Sequence, residues 1–154
     1  MKRKIKNISD SKTILSEVMM PIDANHYGTV HGASIFRMVD EAALVTATKH
    51  ARRNAVLASM DHIVFKHPVR IGDLLSVEAR LSYVGKSSME ILVNITTERL
   101  KEGKVLNVGS AHLTMVALDE EGKPAIVPGL RLKTKTDKTQ SKLAISQRKK
   151  RLST

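Results

Sequence analysis

The sequence predicts an α+β domain in which one long helix is wrapped by a curved antiparallel sheet of about five strands. Three observations lead there. Helical periodicity fills one stretch of the compact part, residues 31–53, while the later stretches either alternate apolar with polar residues or are apolar throughout. The links between those later stretches are short and rich in turn formers. Short turns force antiparallel neighbours, because a parallel pair needs a crossover of about a dozen residues or more. The strands after the helix are therefore expected to meander.

The elements follow in chain order. Residues 12–20, KTILSEVMM, put Ile14, Val18 and Met20 in one phase and read as a first strand, stopped by Pro21. The loop IDANHYGTV holds the turn formers Asp23, Asn25 and Gly28. HGASIFRMVDEAALVTATKHARR then reads as a helix from about His31 to about Arg53. Residues 55–67, AVLASMDHIVFKH, are apolar and β-branched and end at Pro68. After the turn Ile71-Gly72-Asp73, Val77, Ala79, Leu81 and Tyr83 alternate with Glu78, Arg80 and Ser82, the mark of a half-buried strand. Gly85-Lys86-Ser87-Ser88 turns the chain into a second alternating strand carrying Met89, Ile91, Val93 and Ile95. VLNVGSAHLTMVAL is apolar in both phases, as a strand buried on two sides should be, and Asp119 to Pro128 closes the compact part. The expected organisation is a basic N-terminal segment, residues 1–10, one domain over 11–130, and a basic tail over 131–154. The tail has few apolar residues, chiefly Leu143, Ile145 and Leu152, and is expected to be mobile or a short peripheral helix.

Composition narrows the chemistry. A chain of 154 residues can bury a real core without staples, and with no cysteine it has no disulfide, no thiolate nucleophile and no Cys-ligated metal. Six histidines are present, but His26 and His31, like His62 and His67, lack metal-ligand spacing, and His112 reads as a core residue, so no metal is expected. The net charge of +11 suggests an anionic partner until it is located. Residues 131–154 hold nine Lys or Arg against Asp137 alone, and Lys2, Arg3, Lys4 and Lys6 hold more, which leaves residues 7–130 near neutral. With Tyr27, Tyr83, Phe36 and Phe65 as the whole aromatic set, base stacking has little to work with, and nucleic acid is not the expected partner. The basic N-terminus is followed by no apolar stretch of signal-peptide length, and no segment approaches the ~20 apolar residues of a membrane span, so a cytoplasmic location is expected.

One charge is out of phase in the helix. Ser34, Arg37, Glu41 and Thr48 share a narrow polar face, whereas Asp40 falls among Phe36, Ala43, Ala47 and Leu44. A carboxylate there needs a partner or a task. Two readings stay open: a pair with Arg37 at the edge of the polar face, or a general base facing a cleft. The small residues Gly32 and Ala33 at the helix start leave backbone N–H groups that could polarise a carbonyl, or they merely shape the entry of the chain.

Four segments taken together, MPIDANHYGTVHGASIFRMVDEAA, ASMDHIVFKHPVRIGD, VGKSSMEI and ALDEEGKPAIVPGL, resemble the acyl-CoA thioesterase family of the hotdog fold over residues 18–130. The likeness is to short one-domain bacterial enzymes and to the repeated domains of animal cytosolic acyl-CoA hydrolases. It implies hydrolysis of acyl-CoA to free fatty acid and CoA, with no cofactor required and coenzyme A bound as part of substrate and product. It further implies a homodimer, assembled into a hexamer as a trimer of dimers, with the site between protomers. On that resemblance Asn25 of one chain faces Asp40 of the next, Asp40 activates water or attacks as a nucleophile, and Gly32 and Ala33 supply backbone donors. Where the family often has Gly-Gly, this chain has Gly32-Ala33. Lys86, Ser87 and Ser88 suit the phosphates of the coenzyme or simply cap a hairpin, Ser59 lies on the strand beside the helix, and Asp61 reads as structural. The rival readings are a hotdog acyl-CoA hydratase or dehydratase using Asp23, Asn25 and His26, and a non-catalytic acyl-CoA-binding module.

Overall fold

A computed structural model describes residues 2–154. A short strand β1 (Ile5–Asn7) leads into β2 (Thr13–Val18), then the helix α1 (Gly32–Ala51), then β3 (Asn54–Phe65), β4 (Leu74–Val84), β5 (Ser88–Arg99) and β6 (Lys104–Leu118). A short strand β7 (Gly129–Arg131) and a second helix α2 (Lys135–Leu152) complete the chain. The helix α1 contains no proline and no internal glycine, and it stops where Arg52 adopts a left-handed conformation, φ 53°. Its buried face carries Ile35, Met38, Val39, Ala42, Ala43 and Ala47. The alanines keep that face thin, so the sheet approaches closely and α1 touches all five strands from β2 to β6. Met19, Leu75, Leu81, Ile91, Ile95, Leu113 and Met115 fill the space between, giving an aliphatic core.

The five-stranded sheet has the order β2-β4-β5-β6-β3 with every pair antiparallel. From β4 to β6 the strands meander as expected, but β3 does not pair with β4: it lies at the far edge, against β6. Distance explains why the short link 66–73 misleads. Three strand spacings amount to about 14 Å, and eight residues can span up to about 26 Å, so the chain can cross the sheet without a long connection. On the way it is pinned to the segment between β2 and α1, the Val30 N–H donating to the Val69 carbonyl at 2.9 Å and the Gly72 N–H to the Met19 carbonyl at 2.7 Å.

As an edge strand β3 is irregular. Its register with β6 shifts between Leu57 and Ser59 and again between Asp61 and Val64, and His62 between them has φ 42°. Gly109 on β6 faces the second bulge, where any side chain would collide with the Val64 carbonyl.

Both chain ends are built into the domain. The strand β1 pairs with β7 in parallel, so the boundaries expected at 10/11 and 130/131 do not separate the ends from the fold. The basic tail is the helix α2, packed on β4 and fastened near both its ends. At its start Thr134 accepts from the Asp137 N–H, Asp137 accepts from the Thr134 N–H, and Arg80 of β4 reaches Asp137 at 2.6 Å. At its end Arg151 donates to Asp61 of β3 and Glu90 of β5, both at 2.7 Å, while the Thr114 hydroxyl donates to Glu90 at 2.8 Å. Among the described residues no helix is long and apolar enough to cross a membrane.

Candidate active site

The loop before α1 is closed on itself. The Asp23 carboxylate caps the turn after Met20, accepting the Met20 N–H at 2.9 Å, and its carbonyl accepts the His31 N–H at 2.6 Å. Asn25 holds the tip of the loop: its Oδ1 accepts from the N–H groups of Tyr27 and Thr29, and its Nδ2 donates to Thr29 Oγ1 at 2.9 Å. With both acceptor positions of its oxygen and one of its two amide hydrogens used, the side chain has a fixed orientation and one N–H left to offer. His26 and Tyr27 project into solvent, with ring centroids 4.9 Å apart.

At the helix start the two expected backbone donors separate. The Ala33 N–H donates to His31 Nδ1 at 3.0 Å, so it is engaged by a side-chain cap rather than free for a substrate. The Gly32 N–H makes no such bond among the described residues, and it sits at the positive end of the α1 dipole. Phe65 of β3 closes over it: a Cβ on Gly32 would lie 3.9 Å from the ring.

Asp40 lies two turns further along, half-buried. The pair with Arg37 does not form. Arg37 instead spans Glu17 at 3.3 Å and Glu41 at 3.2 Å, and Asp40 has no hydrogen bond or ion pair among the described residues. Burial, reinforced by the neighbouring charge of Glu41, pushes the Asp40 carboxyl above the usual carboxylate range. Asn25 and Asp40 of one protomer are not bonded to each other. Around them lies exposed apolar surface: Phe36 and Leu44 on α1, and Val56, Leu57, Val64 and Phe65 along the unpaired edge of β3.

The remaining expected residues divide. The Ser59 hydroxyl is buried in the bulged part of β3 without a partner, which the sequence pattern could not disclose. Asp61 is held by Arg151, a structural role. Lys86 is exposed on a turn closed by the Gly85 N–H to Ser88 carbonyl bond at 2.8 Å, and the Lys86 and Ser87 carbonyls are taken by the N–H groups of Val127 and Ala117. His112 is half-buried, and burial, opposed by Asp61, lowers its pKa.

A helix swaddled by a five-stranded antiparallel sheet, with an unpaired acid in mid-helix, defines a class of proteins. Residues 27–115 match the thioesterase superfamily, and the chain belongs to that family. It is 36% identical over 119 residues to the uncharacterized acyl-CoA thioester hydrolase YkhA of Bacillus subtilis, covering 77% of this chain and 69% of that one. In three dimensions it is similar to an apo-hexameric acyl-CoA thioesterase, with a TM-score of 0.91, 35% identity and 97% of each chain covered. It is also similar to an acyl-CoA hydrolase of Staphylococcus aureus solved with butyryl coenzyme A, coenzyme A and coenzyme A disulfide, with a TM-score of 0.87 and 37% identity over 96% of this chain and 92% of that one. Alanine variants of that hydrolase exist at an asparagine and an aspartate fifteen positions apart, the same separation as Asn25 and Asp40. A third variant is at a threonine seventeen positions beyond the aspartate; the position seventeen beyond Asp40 is Leu57, on the exposed edge of β3.

Proposed function

We propose that this protein hydrolyses acyl-CoA thioesters to a carboxylic acid and CoA at a site completed by two protomers. The observation that carries the reading is Asp40: half-buried, unpaired and raised in pKa, two turns along a helix whose start carries an unengaged N–H. Asp40 takes a proton from water as the water oxygen attacks the thioester carbonyl. Gly32 stands about 12 Å from Asp40 on its own helix, so the Gly32 N–H and α1 dipole of the neighbouring chain stabilise the oxyanion, and collapse expels the CoA thiolate, which takes up a proton. Asn25, with one amide hydrogen to spare, orients the water or the carbonyl from the neighbouring chain. Position 57 supplies no hydroxyl, since it is leucine, so this chain relies on Asn25 and Asp40.

The edge of β3 supports the shared site. A twelve-residue edge strand exposing Val56, Leu57, Val64 and Phe65 is a template for pairing, and a second copy of β3 covers it while bringing two sites to the seam. The dimers assemble further into a hexamer, and the protein works in the cytoplasm. Coenzyme A enters only as part of substrate and product. The test is a panel of CoA esters from acetyl to palmitoyl, followed by free-thiol release, with Asp40→Asn alongside. Thiol release by the wild type that the variant lacks is the expected result; equal rates in the two proteins would remove Asp40 from the chemistry, and a wild type inactive on every ester would end the proposal.

A further inference from the structure

The outward face of α2 is a line of lysines without counter-charge. At about 100° per residue, Lys135, Lys138, Lys142, Lys149 and Lys150 fall within roughly 120° of the helix circumference, and all are exposed. The opposite face holds the buried Asp137, Ser141 and Ala144. The arginines of the helix also turn inward, Arg151 to Asp61 and Glu90, and Arg148 toward Gly85 in the turn between β4 and β5. Asp137 is the one acid in residues 135–154, and it is engaged by Arg80 and the helix cap. Among the described residues none of these lysines makes an ion pair. Arg131 and Lys133, exposed and likewise unpaired, extend the positive field beyond the helix start.

Such a face works against the helix that carries it. Lys135 and Lys138 are three residues apart, and Lys138 and Lys142 four, the spacings at which like charges repel on a helix surface. The helix forms regardless because its other face is fastened near both ends. The repulsion is relieved when an anionic surface meets the whole line, which runs about 22 Å from Lys135 to Lys150. The make-up of the face selects that surface. Its cations are ammonium groups, compact point charges, interspersed with Thr139 and Ser146, with no arginine fork, amide or aromatic ring to address a base. Leu143 at its margin is 50% exposed, and Leu152 at the helix end 66%. Lysines in a row beside a leucine free to enter an apolar layer suit a plane of anionic headgroups over acyl chains.

We propose that α2 docks the protein on an anionic lipid bilayer, its lysine face against the headgroups and Leu143 at the edge of the acyl region. The attachment is peripheral and electrostatic, so it weakens as salt rises. It is independent of the reaction at Asp40. Where that reaction is acyl-CoA hydrolysis, docking puts the enzyme beside the layer into which acyl chains partition.

The test is co-sedimentation of the full chain with vesicles of phosphatidylcholine alone and of phosphatidylcholine mixed with phosphatidylglycerol. The wild type is expected to pellet with the mixed vesicles at about 50 mM salt, to leave them at about 500 mM, and to stay in solution beside the neutral ones. The variant Lys138→Gln/Lys142→Gln/Lys149→Gln keeps helix propensity and should weaken binding about 100-fold, at about fivefold per lysine. A control of equal net charge, Lys101→Gln/Lys104→Gln/Lys123→Gln, alters exposed lysines away from α2 and should stay within about twofold of the wild type. Absence of binding to the mixed vesicles at low salt, or equal weakening by the two triple variants, overturns the proposal. A fluorescent DNA duplex is titrated in parallel. Binding to it that is tighter per phosphate than to the mixed vesicles, and lost in the α2 variant, would assign the face to nucleic acid and overturn the membrane proposal.

Discussion

Asp40 and Asp137 are both carboxylates on helices packed against one sheet, and their surroundings push them in opposite directions. Burial penalises the charge of Asp137, but the N–H groups of Thr134 and Lys133, the Thr134 hydroxyl and the Arg80 guanidinium outweigh it and hold the carboxyl below the usual range. Burial raises Asp40, no hydrogen bond or ion pair among the described residues answers it, and the charge of Glu41 raises it further. The first acid fastens a helix. The second is the acid we propose as the base, and the difference lies in the donors around each rather than in the residue or its element.

The largest expected effect breaks the comparison at its reactive half. Asp40→Asn keeps the shape and removes the proposed base, and hydrolysis of butyryl-CoA should fall by about 10²–10⁴-fold. For the wild type the acid limb of kcat/KM should lie above 3.8, the ordinary value for this acid, because activity needs the deprotonated form and its pKa is raised. A limb at or below that value would mean that another group carries the base. The next effect lies at the fastened half. Arg151→Ala strips Glu90, which is buried, and Asp61 of their counter-charge, and should cost about 3 kcal/mol of stability. That is a fall in Tm of roughly 6–12 °C for a chain of this size. A variant that melts like the wild type would show α2 to be loosely attached.

Much of the fold could be read from the residues because its signals are local. The helix expected over 31–53 forms over Gly32–Ala51, and the alternating stretches after Gly72 become β4 and β5 within a residue or two. The position of β3 could not be read, since a turn reports its length and not which edge the chain reaches next. The tail carried a signal that composition hid: Thr134 and Asp137 have the spacing of a capping box, and they start α2 despite the polar run that follows. At the site, helical phase singled out Asp40, but it could not tell which acids Arg37 would choose, nor that His31 would turn back and take the Ala33 N–H. Those outcomes depend on where Glu17 of β2 and the ring of His31 come to rest, and periodicity carries no information on either.

The smallest effects sharpen the comparison most, because they have opposite signs. A carboxyl whose folded pKa is depressed contributes stability that is present above its unfolded value and is lost as pH falls through the folded pKa. Asp137→Asn should therefore lower Tm at pH 7, by a few degrees for a cost of about 1–2 kcal/mol, and the difference from wild type should close only below pH 3.8. A carboxyl whose folded pKa is raised works the other way: it costs stability at neutral pH, and the cost is relieved as pH falls through that raised value. Asp40→Asn should then raise Tm at pH 7 by about 1–2 °C, with the gain disappearing as pH falls while Asp137→Asn still shows its full loss. Thermal melts of the three proteins from pH 7 down to pH 3 read both differences in one series. If Asp40→Asn melts lower than the wild type at pH 7, the native protein holds a partner for that carboxylate, and the contrast between a fastened acid and a poised one fails.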